Sequence, residues 1–403
     1  MPTGLLQDLK VVEWGNFISA AYCAKLLADI GAQVTKVEAP RTGDELRQIG
    51  PFFPGAEGPE ASAFFLYLNT NKESVTLDVT TEEGRELLHG LLDGADFFIE
   101  NHTPAEMKAL GLDYASLKQR HPNLIVVSIT AFGQTGPYRD YVGSDLISFQ
   151  TGGFGNGCPG AVTDPANERP LRAGGHQADF LSGLYGAAGA MHGLFHRNLN
   201  NEGVQIDVSG QEAIASIMYG QVAGYTADGA FTKRGAEDAI NTRLTPCQDG
   251  WFMTNLGDDR YWANWVGVMG NPEWAESDLF NSREARRANL PLARPHIEEW
   301  TMQHSKVDIH LAAQGARVPV LPTNNIDEVV ASPQYQAREY FVEAANTSGR
   351  KVKVPGAPYS FSKTPWSLRT DAPALGEHTD QVLTERLHLD PARVAELRAR
   401  GVI

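Results

Sequence analysis

Asp179 is an acid in a run that is otherwise small or apolar. The run reads Ala178-Asp179-Phe180-Leu181-Ser182-Gly183-Leu184-Tyr185-Gly186-Ala187-Ala188-Gly189-Ala190-Met191, with Gly174-Gly175 just ahead of it. An ionised carboxylate loses hydration in such surroundings, so its presence asks for a reason. One reason is a helix start, where unpaired amides and the helix dipole favour a negative charge. The other is chemistry: a carboxylate oxygen that attacks an activated carbonyl carbon, with bare glycine amides nearby to receive the oxyanion. The composition of the helix favours chemistry. Ser182, Gly183, Gly186, Ala187, Gly189, Ala190 and Gly193 let other backbone approach closely, although each glycine costs a helix about 1 kcal/mol.

Other chemistries fit the residues less well. No metal site is expected, because among the scattered histidines only His192 and His196 stand at i, i+4, and no glutamate accompanies them. G-x-S-x-G is absent, so Gly143-Ser144-Asp145 reads as a turn rather than a serine nucleophile. A dinucleotide fingerprint needs three glycines after the first strand, and Trp14-Gly15-Asn16-Phe17-Ile18-Ser19 supplies one. Gly153, Gly155 and Gly157 have the wrong spacing for that fingerprint and read as a flexible loop, a lid or an anion-contacting turn. Cys23, Cys158 and Cys247 are too few and too far apart for a disulfide framework. The formal net charge of −15 argues against nucleic acid. No apolar stretch is long enough to span a membrane, and Met1 to Lys10 has no signal-peptide core. A cytoplasmic protein is expected.

An α/β layer must position these groups. Lys10–Trp14 and Gln33–Glu38 read as strands on either side of a helix over Ala20–Ile30, which makes a β-α-β unit. Ser74–Val79, Ala95–Glu100 and Asn123–Ile129 supply further strands, and Glu82–Leu92 a helix. The apolar run Asn123–Ile129 is expected to be central and buried on both faces. Residues 134–176, rich in Gly, Pro and polar groups, are expected to form a long loop. Helices follow from about Gln177 to Arg197 and from Gly210 through Tyr219. The chain is too long for one ordinary core. We therefore expect a large Rossmann-like domain over 1–224, a tryptophan-rich small domain of short helices over 225–320, and a return to the large domain with a helical tail over 321–403.

Several stretches carry a family resemblance in order: Ala28–Glu38, Gly43-Asp44 and Arg47, Leu68–Lys72, Glu100-Asn101, Ser128–Pro137 and Leu375–Asp380. Together they resemble the class III (CaiB/BaiF, formyl-CoA transferase-like) coenzyme A transferases over essentially the whole length. The resemblance implies transfer of CoA from an acyl-CoA donor to a free carboxylic acid, with Asp179 as the nucleophile and a covalent aspartyl-CoA thioester on the way. CoA is then a substrate, and no tightly bound cofactor is implied. The resemblance also implies an open-ring subunit interlocked with a second copy in a homodimer, and the small-residue helix after Asp179 suits such tight passage. It places CoA against Phe17, Ile18, Ala39, Leu77, Asp78, Val79, Thr80, Asn101, His102, Thr103, Gly143, Ser144, Asp145 and Leu146.

Arg41, Arg47, Lys72 and Lys108 are basic candidates for the CoA phosphates. Arg139 and Arg172 are candidates for a second carboxylate on the acid. The chain departs from its relatives at Ala39-Pro40, where an Arg often follows the strand. It also lacks their glycine-rich cover near Asn241 to Gln248, for which Gly152 to Gly160 is a possible substitute. The rival activity on this fold is α-methylacyl-CoA racemisation, in which a His precedes the aspartate equivalent to Asp145. Here that residue is Ser144, a poor base. A non-catalytic CoA-binding protein is the remaining alternative.

Overall fold

A computed structural model describes residues 4–158, 162, 164, 167–230 and 243–403. Its described part divides into two compact units, one holding 4–158, 169–230 and 339–403, the other 243–338 with the few described residues before 169.

The first unit is built on six parallel strands: β1 (Lys10–Trp14), β2 (Gln33–Glu38), β3 (Lys72–Thr76), β4 (Phe97–Glu100), β5 (Ile125–Thr130) and β6 (Gln205–Ser209), in the order β3-β2-β1-β4-β5-β6. The helices between them are α1 (Ser19–Asp29), α2 (Ala63–Asn69), α3 (Glu82–Leu92), α4 (Pro104–Leu110), α5 (Tyr114–Arg120), α6 (Asp145–Thr151) and α7 (Gln177–Asn200), with α8 (Gly210–Ser216) after β6. Successive strand residues face opposite sides, and both sides are apolar. Val12, Val37, Val75, Phe98 and Val126 pack with Leu88, Met107 and Leu117, and with Val382, Leu383 and Leu397 from the C-terminal helices. Val11, Val34, Phe97, Ile99, Val127 and Ile129 pack with Cys23, Ala24 and Leu27 of α1 and Ala187 and Ala190 of α7. The sheet is therefore doubly wound.

Strand direction leaves one natural place for a ligand. β1 has β2 on one side and β4 on the other, so the chain reverses its winding there and opens a crevice at the carboxyl ends of the strands.

Helix α7 shows what the small residues do. A Cβ on Gly183 would lie 2.6 Å from the carbonyl oxygen of Ser19, one on Gly186 2.7 Å from Ile129, one on Gly189 2.5 Å from Ile206 and one on Gly193 2.9 Å from Ile125. The glycine row seats α7 against α1, β5 and β6 of its own chain. Gly183→Ala is expected to lower stability by about 1–3 kcal/mol, because the obstacle is backbone and cannot rotate away. Urea unfolding of the purified variant checks this, and an unchanged midpoint would contradict it.

Some elements differ from the sequence expectation. The strand expected over Ser74–Val79 is Lys72–Thr76; Leu77 and Val79 enter the core beyond its end. Strand β6 has no counterpart in the sequence reading. Its Gln205-Ile206-Asp207-Val208-Ser209 alternation is that of a short edge strand with one polar face. The helix expected from Gly210 through Tyr219 ends at Ser216, and a second begins at Tyr219.

In the second unit, Arg243–Cys247, Gly250–Thr254 and Val320–Pro322 form an antiparallel sheet whose Phe252 packs with Trp262, Trp265 and Phe280. One of its helices is not short: Arg283–Thr301 runs 19 residues, with a kink at Asn289 and two internal prolines. Among the described residues no helix is long and apolar enough to cross a membrane.

Candidate active site

A cleft of about 450 Å³ opens at the carboxyl ends of β1, β4 and β5, and Asp179 lies on its wall. Phe17, Asn101, Thr103, Gly143, Ser144 and Asp145 share that wall, all of them expected from the sequence.

Three elements set its shape. The turn after β1 is held by Asn101, whose Nδ2 donates to the Asn16 carbonyl (2.6 Å) and Ser19 Oγ (3.1 Å), while its Oδ1 accepts from the Asn16 amide (2.9 Å). Phe17 sits there at φ 64°, a left-handed conformation that a bulky residue rarely adopts. Its amide donates to Asp44 Oδ1 (3.0 Å) and Asn16 Oδ1 (3.1 Å), which hold the strained turn in place. Asp44 is itself paired with buried Lys36 at 2.7 Å. Next, Thr103 starts α4 with a capping box to Glu106. Last, Ser144 caps α6 by accepting from the Ile147 amide, so its hydroxyl serves the helix.

Asp179 is the third residue of α7. Its environment differs from the sequence expectation that the helix start keeps it ionised. His176, the residue before the helix, makes no side-chain cap. The cap comes instead from Asp145, whose Oδ1 accepts from the amides of Ala178 (2.9 Å) and Asp179 (3.2 Å). Burial, and then the neighbouring Asp145 charge, push the Asp179 carboxyl up to about 7, against the opposing pull of Arg172. Arg172 stands 3.8 Å from Asp145 Oδ2. The His176 ring lies edge-on to Phe17 with centroids 5.0 Å apart. Burial lowers its pKa, and its Nδ1 is enclosed without a hydrogen-bond partner.

Asp145, His176 and Asp179 bring one ligand atom each within 4.8 Å of one another, a spacing that a metal ion could bridge. Two amides and a guanidinium already answer the Asp145 charge. A second carboxyl near neutrality lies deeper: burial pushes Glu100 up to about 7, against hydrogen bonds from Ser128 and the His102 amide.

The remaining sequence candidates lie elsewhere. Ile18 is buried among α1 and α2 side chains. Leu77 and Val79 are core residues, and Asp78 Oδ1 accepts from Thr80. His102 stacks on Trp14 at 3.8 Å. Lys108, Leu146 and Ala39 are exposed and off the cleft wall. Arg41 lines a second depression of about 500 Å³ with Gln48 and Phe52.

Arg47 and Lys72, considered for phosphates, are sealed in the interior. The Arg47 guanidinium grips Glu38 at 2.7 Å through two nitrogens and stacks on Phe65. Lys72 Nζ binds Glu13 Oε2 at 2.8 Å and the Ala21 carbonyl. Of the two arginines proposed for a second carboxylate, Arg139 lines the cleft and Arg172 stands by Asp145. In the stretch Gly152–Gly160, Gly155–Gly157 is a 3-10 turn and residues 159 and 160 lie outside the described residues, as do 241 and 242 of the stretch Asn241–Gln248. Sequence reasoning missed Glu45, Ser19 and the Thr130-Ala131-Phe132 wall. The last follows the longest apolar strand, and strand ends were the signal that could have found it.

Fold and cleft together define a doubly wound α/β protein with a desolvated carboxylate at its switch point. A family profile described as CoA-transferase family III matches residues 6–379. The succinate–glutarate CoA-transferase of Agrobacterium fabrum is 32% identical over 94% of this chain and 95% of its own. The succinyl-CoA–D-citramalate CoA-transferase of Chloroflexus aurantiacus is 29% identical over 100% and 99%. The crystal structure of a CAIB/BAIF family protein from Brucella suis superposes with a TM-score of 0.85 at 32% identity, over 95% of this chain and 100% of that one. The chain belongs to CoA-transferase family III, whose substrates are CoA thioesters and acids.

Proposed function

We propose that Asp179 carries CoA between acids as a covalent thioester. The observation behind this is a carboxylate on the cleft wall whose charge burial leaves poorly compensated. An Asp179 oxygen attacks the thioester carbonyl, the C–S bond breaks, and CoA leaves as its thiolate from a mixed anhydride. The thiolate attacks the aspartyl carbonyl and releases the donor acid. The acceptor carboxylate attacks the resulting aspartyl thioester, forming a second anhydride and expelling the thiolate. Attack of the thiolate on the acceptor carbonyl gives the new acyl-CoA and frees Asp179. Storing CoA covalently conserves the thioester bond energy, provided water is excluded. Helix α1 starts at the cleft wall without a side-chain cap, which leaves its first amides as donors for the oxyanions.

Succinyl-CoA and a dicarboxylic acceptor are the substrates we infer. The relatives' names supply the class, and Arg139 on the cleft wall supplies a cation for the far carboxylate. The reading extends to an open-ring subunit interlocked in a homodimer. Leu184, Tyr185, Phe195 and Leu199 of α7 with Tyr219, Val222 and Tyr225 give it an exposed apolar face to cover. It extends also to a cytoplasmic setting, in keeping with three free cysteines.

Trapping tests the covalent step. Protein incubated with succinyl-CoA and then hydroxylamine is expected to carry a hydroxamate on the peptide containing Asp179, and to lose CoA exchange in step with that modification. Continued turnover with an unmodified peptide would refute the proposal.

A further inference from the structure

We propose that Asp145 is a positioning residue for the nucleophile: a remote cap that takes the two amides at the start of α7 and so leaves the Asp179 carboxylate uncompensated. This deepens, and rests on, the reading of Asp179 as the attacking group.

The first-turn amides of a helix ordinarily stabilise an acid placed there. At α7 they point to a different acid. Asp145 is 6% exposed and lies 33 residues away in sequence, on α6. Its Oδ1 takes the Ala178 and Asp179 amides at 2.9 and 3.2 Å. Asp145 therefore acts on Asp179 twice. It removes the local hydrogen-bond donors, and it sets a like charge beside the nucleophile. Both effects destabilise the resting carboxylate more than the anhydride, in which the aspartyl oxygen carries no charge. Such ground-state tension lowers the barrier to attack.

The groups around Asp179 set the balance. Asp145 on α6, Arg172 before α7 and His176 at the helix start are its charged or titratable neighbours, and Glu45 and Arg139 lie on the same cleft wall. Arg172 faces Asp145 Oδ2 at 3.8 Å and acts on Asp179 in the opposite sense to Asp145.

D145N separates charge from capping, because the amide oxygen still accepts the two hydrogen bonds. The measurement is the pH dependence of CoA exchange, together with the rate at which succinyl-CoA modifies the Asp179 peptide. Wild type is expected to gain rate with pH through a limb near 7. D145N should shift that limb to lower pH and reduce the plateau kcat about 10–100-fold, with KM for succinyl-CoA little changed. D145E, which keeps the charge, should retain the high limb. Glu100 titrates in the same range, so the limb is assigned by its movement with residue 145 and not by its position.

An unshifted limb in D145N, or a raised KM with kcat intact, would overturn the proposal. Should the variants fold poorly, carbodiimide modification of Asp179 in the wild-type protein reads its titration directly, and a midpoint near 4 would be equally fatal. Loss of the wild-type Asp179 adduct itself would instead strike at the nucleophile reading, whatever the Asp145 variants do.

Discussion

Asp179→Ala is expected to abolish CoA exchange between acyl-CoA and acid, lowering kcat/KM by about 10³-fold or more, as removal of a covalent nucleophile does. Binding should survive. Phe17, Asn101, Thr103 and the α1 start shape the cleft, and their hydrogen bonds do not pass through Asp179. Calorimetric titration with CoA should therefore give an affinity within a few-fold of wild type. Exchange at even a tenth of the wild-type rate would mean that another group carries CoA.

The same residue couples activity to stability. In the folded chain its carboxyl titrates near 7, against an ordinary value of 3.8. Between those values the folded state holds a proton that the unfolded state has released, so stability falls as pH rises through this window. The cost is fully present above about 7. Asp179→Asn removes it and should stabilise the protein on the order of 2 kcal/mol at pH 8, with the gain fading towards pH 4. Thermal unfolding of both proteins across that range tests the sign. A gain that grew on acidification would contradict the desolvated environment.

Local pattern made much of this legible. Lys10–Trp14, Gln33–Glu38 and Glu82–Leu92 have the same bounds in sequence and structure, because their periodicity is encoded where it acts. Strand β6 was hidden because an edge strand of five residues carries too few apolar positions to declare itself. The site divides the same way. Asp179 stood out by its neighbours in sequence, whereas the cap that Asp145 supplies joins residues 33 apart and exists only through tertiary structure. Arg47 and Lys72 show the converse. A basic residue at a promising strand end looks available until its buried partner, Glu38 or Glu13, is seen.

That buried charge yields the second large effect. Glu13 is fully enclosed on β1, with Lys36 Nζ at 2.6 Å and Lys72 Nζ at 2.8 Å from its two oxygens. Burial works against the Glu13 anion, yet Lys36 and Lys72 outweigh it and hold its pKa below the usual carboxylate value. Burial pushes Lys72 down to about 8 even with this partner. Glu13→Ala would leave two ammonium groups facing a void and should cost about 3–5 kcal/mol, the usual penalty for stripping one partner from a buried pair. The damage should reach the cleft as well. Lys36 also holds Asp44, and Asp44 holds the strained Phe17 turn. With Glu13 gone, Lys36 loses one of its two carboxylate partners and no longer holds Asp44 in a fixed place, so KM for acyl-CoA should rise together with the fall in melting temperature. Glu13→Leu combined with Lys72→Met removes one charge of each sign, so the double variant should lose less stability than the sum of the two single changes. Strict additivity in that cycle would mean that the two groups do not act as a pair.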